Sequence, residues 1–152
     1  MSLKRIVIVL IAAATMSSAE LSAQTLFGGR LGAYVEQEAL FLGGEVLTPL
    51  GNAFYLNPNV EYVFANRANQ ATFNFDVHYD FARRGTLTFW VGAGLGILYF
   101  DPDGAAGSET NVGANLLFGT AFLRTADVIP YVQAKVIVAD DSEFVIGFGV
   151  RF

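Results

Sequence analysis

From Phe54 to Phe152 large apolar side chains alternate with small or polar ones at a period of two. That period belongs to strands whose two faces meet different surroundings. Phe54, Leu56, Pro58, Val60, Tyr62 and Phe64 fall on one face, and Tyr55, Asn57, Asn59, Glu61 and Val63 on the other. After a polar break at 66–70, Phe73, Phe75, Val77, Tyr79 and Phe81 oppose Thr72, Asn74, Asp76, His78 and Asp80. A basic turn, Ala82 to Gly85, leads to Leu87, Phe89, Val91, Ala93, Leu95, Ile97 and Tyr99, set against Thr88, Trp90, Gly92, Gly94 and Gly96. Residues 101–110, rich in Asp, Gly, Pro and Ser, read as a loop. Three further runs follow: Val112 to Phe122, then Tyr131 to Val138, then Phe144 to Phe152. Upstream of Phe54 there is room for two more strands, near 26–36 and 38–49, with weaker alternation (Leu31, Ala33 and Val35 against Arg30, Gly32 and Tyr34).

Eight strands of about ten residues joined by short turns match the length that crosses a bilayer at a tilt near 45°. The expected fold is therefore all-β, an eight-stranded antiparallel up-and-down transmembrane β-barrel. A soluble eight-stranded barrel has the opposite polarity, apolar inside and polar outside. Here the polar face carries glycine, asparagine and threonine rather than the lysine and glutamate of a solvated surface. Aromatics on the apolar face gather near strand ends (Phe54, Tyr62, Phe64, Phe73, Tyr79, Phe81, Phe89, Tyr99), at the heights of two membrane girdles. Glycines 92, 94, 96, 147 and 149 suit an interior that eight strands leave only wide enough for side chains.

The first residues follow a different rule. Lys4 and Arg5 precede an apolar run, Ile6 to Met16, which is too short for the ~20 residues of a spanning helix. Small residues follow up to Ala23. This pattern predicts a signal peptide over 1–23, cleaved after Ala23 or alternatively after Ala19, and one barrel domain over 24–152. Once Lys4, Arg5 and Glu20 leave with it, seven basic residues face thirteen acidic ones, and Lys135 is the only lysine. An acidic chain without a basic stripe excludes nucleic acid as a partner. The absence of cysteine excludes disulfides and thiolate metal sites.

The chain closes on Phe144, Ile146, Phe148, Val150 and Phe152 at alternate positions. Here it resembles the outer-membrane β-barrel superfamily, whose members end in an aromatic residue preceded by alternating apolar positions. The likeness is nearest to small barrels of the outer-membrane protein A and X type. It extends over the whole mature chain, including Trp90-Val91-Gly92-Ala93-Gly94-Leu95-Gly96. The resemblance implies a location in the cell outer membrane. It also implies contact with outer-membrane lipid and lipopolysaccharide, and a last strand read by the barrel assembly machinery. The longer members' peptidoglycan-binding domain has no counterpart in the sequence, and the external loops look short, so neither wall tethering nor adhesion is carried over.

The polar face places Arg30, Glu45, Glu61, Asp76, His78, Asp80, Lys135 and Arg151 in the lumen. Buried charges must pair or cost several kcal/mol each. They are expected to form a self-satisfied polar plug; the alternative is an ionic gate in a narrow, porin-like channel for ions or small solutes. If Phe64 and Ala71 flank their hairpin turn, Asn57 should oppose His78 and Asn59 should oppose Asp76. His78 between two aspartates suits an ion-pair partner better than a metal ligand, because one face of one strand spaces ligands too widely. Lipid-modifying enzymes exist among such barrels, but a Ser–His pair needs hydrogen-bond reach. The only mature serines, Ser108 and Ser142, fall in loops far from His78. Asp101-Pro102-Asp103-Gly104 and Asp140-Asp141 match turn chemistry rather than a calcium loop. The sequence thus predicts a non-enzymatic, monomeric outer-membrane protein with a plugged lumen and neither metal nor cofactor.

Overall fold

The computed structural model describes residues 24–65, 68–102, 107–123 and 126–152. The expected signal peptide, 1–23, and Asp103 and Gly104 of the acidic turn lie outside the described residues. Eight strands follow one another: β1 (Leu26–Tyr34), β2 (Ala39–Gly51), β3 (Phe54–Val63), β4 (Ala68–Arg84), β5 (Leu87–Pro102), β6 (Glu109–Phe122), β7 (Ile129–Val138) and β8 (Glu143–Arg151). Each pairs antiparallel with the next, and β8 returns to β1, closing the barrel. Closure leaves no strand edge to attract another chain.

At the β1–β8 seam Gly28 stands opposite Arg151 and Tyr34 opposite Val145. Phe27 and Phe152 exchange two backbone hydrogen bonds of 3.0 and 2.9 Å, which extend the seam to the last residue. The β4–β5 hairpin turns through Gly85 and Thr86 alone, since Arg84 pairs with Leu87. Gly85 takes φ +59° there, the left-handed value that a two-residue hairpin turn demands.

Outward-facing positions are apolar on every strand: Phe27 and Leu31, Leu40 and Leu42, Phe54 and Tyr62, Phe75 and Tyr79, Leu95 and Tyr99, Leu116 and Phe118, Val136 and Val138, Phe148 and Val150. Leu95 and Leu116, near mid-height, are 58% and 57% exposed. An apolar belt of this extent on a soluble monomer would be an association hazard. In a bilayer it is the solvated surface. Aromatic pairs mark both ends of the belt, Phe54–Tyr79 (4.8 Å between ring centres) towards the termini and Tyr62–Phe64 (5.2 Å) at the far end.

Two expectations need correction. Asn57 opposes Asp76 rather than His78, and Asn59 opposes Asn74 rather than Asp76. The reason is the turn: β4 begins at Ala68, inside the supposed polar break, and a shift of two residues keeps every side chain on its face. Residues 101–110 are not all loop, because β5 runs to Pro102 and β6 starts at Glu109. Asp80 pairs with Trp90 and so stays on the lumenal face, half-buried at the terminal end, with the register shifting only beyond it, between Asp80 and Ala82.

Candidate functional site: the closed lumen

Lumenal residues fall into three layers. The middle layer is ionic, with the side chains of Arg30, Glu45, Glu61, Lys135 and Arg151 at most 1% exposed. Glu61 is its hub. Lys135 Nζ donates to both carboxylate oxygens of Glu61, at 3.0 and 2.9 Å. Arg30 Nη2 reaches Glu61 Oε1 at 3.1 Å, and the Tyr34 hydroxyl donates to Oε2. Glu45 is the second anchor. Arg151 grips it with two bonds, Nε to Oε1 at 2.9 Å and Nη2 to Oε2 at 3.2 Å, and Asn57 Nδ2 adds a third at 2.9 Å. Such a fork is the geometry in which a guanidinium holds a carboxylate best. Arg30 Nη1 lies 3.7 Å from Glu45 Oε2 and links the two anchors.

Asp76 completes the layer and, among the described residues, is held by amides rather than by a cation. Asn115 donates to its Oδ1 at 2.8 Å and Asn59 to its Oδ2 at 3.1 Å. Asn74 is tied to both amides, donating to Asn59 and accepting from Asn115, each at 2.9 Å. Three cations (Arg30, Lys135, Arg151) thus balance three carboxylates (Glu45, Glu61, Asp76) in the buried middle layer.

An apolar layer closes each end. At the far end Tyr34, Ala39, Phe41, Val63, Ile137 and Val145 form one buried cluster, with Leu98 against it. At the terminal end Trp90, Ala121, Ile129 and Tyr131 form another, backed by Leu26. Rings clasp the cations from these layers: the Arg151 guanidinium lies 4.1 Å from the Tyr131 ring centre and 5.2 Å from that of Trp90. Contacts of this kind add electrostatic attraction to burial. His78 stacks on Trp90 at 5.7 Å with 10° between the rings.

Glycine makes this packing possible in so narrow a tube. Arg30 stands opposite Gly43 and Gly149, Glu45 opposite Gly28, Asp76 opposite Gly94, His78 opposite Gly92, and Trp90 opposite Gly119. A Cβ on Gly119 would overlap the Trp90 indole, and one on Gly149 would overlap the Tyr131 ring. These large lumenal side chains therefore lie over bare stretches of neighbouring strand.

Of the residues expected in the lumen, Arg30, Glu45, Glu61, Asp76, Lys135 and Arg151 come together in one network. His78 belongs to the aromatic layer below it, and Asp80 stands opposite Trp90 on the same face, towards the terminal end. The polar face alone does not announce the two apolar layers, whose sequence signal is that Tyr34, Val63, Ile137 and Val145 share that face but sit at strand ends. Among the described residues no group of three or more His, Asp or Glu side chains is placed to hold a metal ion.

No protein-family model matches the chain, and no curated protein matches it. Solved structures do. The N-terminal β-barrel domain of Pseudomonas aeruginosa OprF superposes with a TM-score of 0.72 at 20% identity, covering 86% of this chain and 98% of that one. Neisserial surface protein A, NspA, gives 0.68 at 12% identity, covering 86% and 98%. The fold is therefore that of the small eight-stranded outer-membrane barrels, as the strand pattern and the last strand imply.

Proposed function

We propose that the chain is a non-enzymatic integral protein of the bacterial outer membrane, a monomer with a structural or surface-interaction role and a lumen that conducts nothing. The observation that carries this reading is the lumen itself, ion-paired in its middle and apolar at both ends. The terminal end faces the periplasm, and the far end, with the turns at 35–38 and 139–142, faces outward. Lipid and lipopolysaccharide are the partners that the outer belt contacts. Ser108 and Ser142 are exposed at the far end whereas His78 is buried in the terminal half, which removes a serine–histidine dyad.

The last strand supports a role in assembly. Phe144, Ile146, Phe148, Val150 and Phe152 all point outward, and Phe152 is 62% exposed. Its ring adds little to internal packing, while its backbone closes the seam. That division suits a side chain read by the barrel assembly machinery.

Two experiments test the proposal. The purified protein in a planar bilayer should be silent and, in detergent on a gel, should migrate faster unboiled than boiled. Steady conductance would reverse the functional reading in favour of a narrow pore. The Phe152→Ala variant should refold in vitro as well as the parent yet insert poorly into the outer membrane of cells. Equal insertion would remove the assembly role.

A further inference from the structure

We infer that the two apolar layers, not the ion pairs between them, are what closes the lumen, so that the barrel is a pore stopped by two hydrophobic gates in series. The inference rests on the silent-lumen reading above and goes further by naming the residues that stop conduction.

Two observations carry it. The first is the order of the layers. Between the ionic layer and the two mouths stand Phe41, Val63, Ile137 and Val145 at the far end, and Trp90, Ile129 and Tyr131 at the terminal end. A narrow apolar constriction excludes ions by shedding water, with no need of a charge to block them. The second is the character of the middle layer. It is built of charged and amide groups that water wets, and buried atoms of Gln133 (Nε2, Oε1), Arg151 (Nη1) and Arg30 (Nε) have no partner among the described residues, whereas the terminal-end layer adds one such atom on each of two rings, Trp90 Nε1 and the Tyr131 hydroxyl. Polar groups so placed are where internal water binds. Charged side chains on either side of a water file can exchange partners around it, as a ring of packed hydrocarbon cannot. The middle layer is then a hydrophilic chamber, and the gates are its two lids.

Single-channel recording in planar bilayers tests this, with the unboiled gel shift as a check on folding for each variant. Opening one end alone, by Phe41→Ser with Ile137→Ser or by Trp90→Ser with Ile129→Ser, should leave the bilayer silent, because the other gate still stands. Opening both ends should produce resolved openings. Glu61→Gln with Lys135→Gln, which removes the central pair and keeps both gates, should remain silent. If the four-fold variant does not fold, the milder pair Phe41→Ala with Ile129→Ala takes its place. Conductance from the Glu61/Lys135 variant, or silence from a folded barrel opened at both ends, would overturn the inference. Conductance of the unaltered protein would instead overturn the silent-lumen reading on which it rests.

Discussion

Glu61 carries the largest energetic consequence in the molecule. Its carboxylate meets Lys135 through two bonds of 2.9 to 3.0 Å, Arg30 at 3.1 Å, and the Tyr34 hydroxyl. None of these side chains reaches solvent. Replacing Glu61 with leucine leaves two guests unmatched: among the described residues Lys135 loses its one close carboxylate, and Arg30 keeps Glu45 at 3.7 Å. Breaking a buried pair from one side costs about 3–5 kcal/mol, since the surviving charge stays desolvated. Lys135→Met, which strands Glu61 beside Arg30 alone, should cost less, about 2–4 kcal/mol, because one cation remains. Removing both partners restores the balance of charge, and exchanging a buried ion pair for apolar volume is often neutral or better. The double variant Glu61→Leu/Lys135→Met should therefore fall within about 1–2 kcal/mol of the parent, a coupling of at least ~3 kcal/mol across the cycle. The assay is urea unfolding in lipid vesicles followed by fluorescence of Trp90, the single tryptophan, which is fully buried in the terminal-end layer. Single substitutions costing below ~1 kcal/mol, the scale of an exposed pair, would refute the reasoning, as would costs that simply add.

The glycines offer a contrast of position. Gly119→Val and Gly149→Val press a side chain into Trp90 and Tyr131 and should lose about 1–3 kcal/mol or fail to fold. Gly29→Ala and Gly44→Ala point outward, with nothing within 4 Å of one new Cβ and a nearest atom at 3.8 Å for the other, and should be neutral or slightly stabilising. Temperature-dependent gel shift reads all four. At the far-end turn Glu36 accepts a hydrogen bond from the Phe144 backbone N–H, which holds its carboxyl below the usual value of 4.5. A depressed carboxyl stabilises the fold above its ordinary pKa and loses that contribution as pH falls through the lowered value. Glu36→Gln should therefore unfold at a lower temperature than the parent at pH 7, and the gap should close on acidification below 4.5. A gap that is unchanged at pH 3 would contradict this origin.

Strand number, face polarity and the composition of the ionic layer were legible in the sequence because a two-residue period survives any even slip of register. Register itself was not. The placement of Asn57 opposite Asp76 depends on where the chain turns between Val63 and Ala68, and polar residues continue there into a strand without a break in composition. The weak alternation of β2 has a physical cause. Phe41, in the far-end apolar layer, and the buried Leu47 both face inward, so both of its faces carry hydrocarbon. The same ambiguity hid Trp90 and Tyr131, which sit among glycines and polar residues in sequence but serve as packing in space. A large side chain set opposite glycine on the neighbouring strand was the available clue, and it becomes readable only when the register is known.

The central claim is that the face bearing Leu116 meets lipid while the opposite face is sealed. The chain contains no cysteine, so Leu116→Cys introduces a unique site for a nitroxide label, and Glu109→Cys gives a comparison at the far-end rim. Collision rates with oxygen and with a water-soluble nickel complex would be measured in reconstituted bilayers. The label at 116 should be open to oxygen and shielded from nickel, and the label at 109 should be open to nickel. A label at 116 that meets the nickel complex as freely as the one at 109 would contradict the account and turn the barrel inside out.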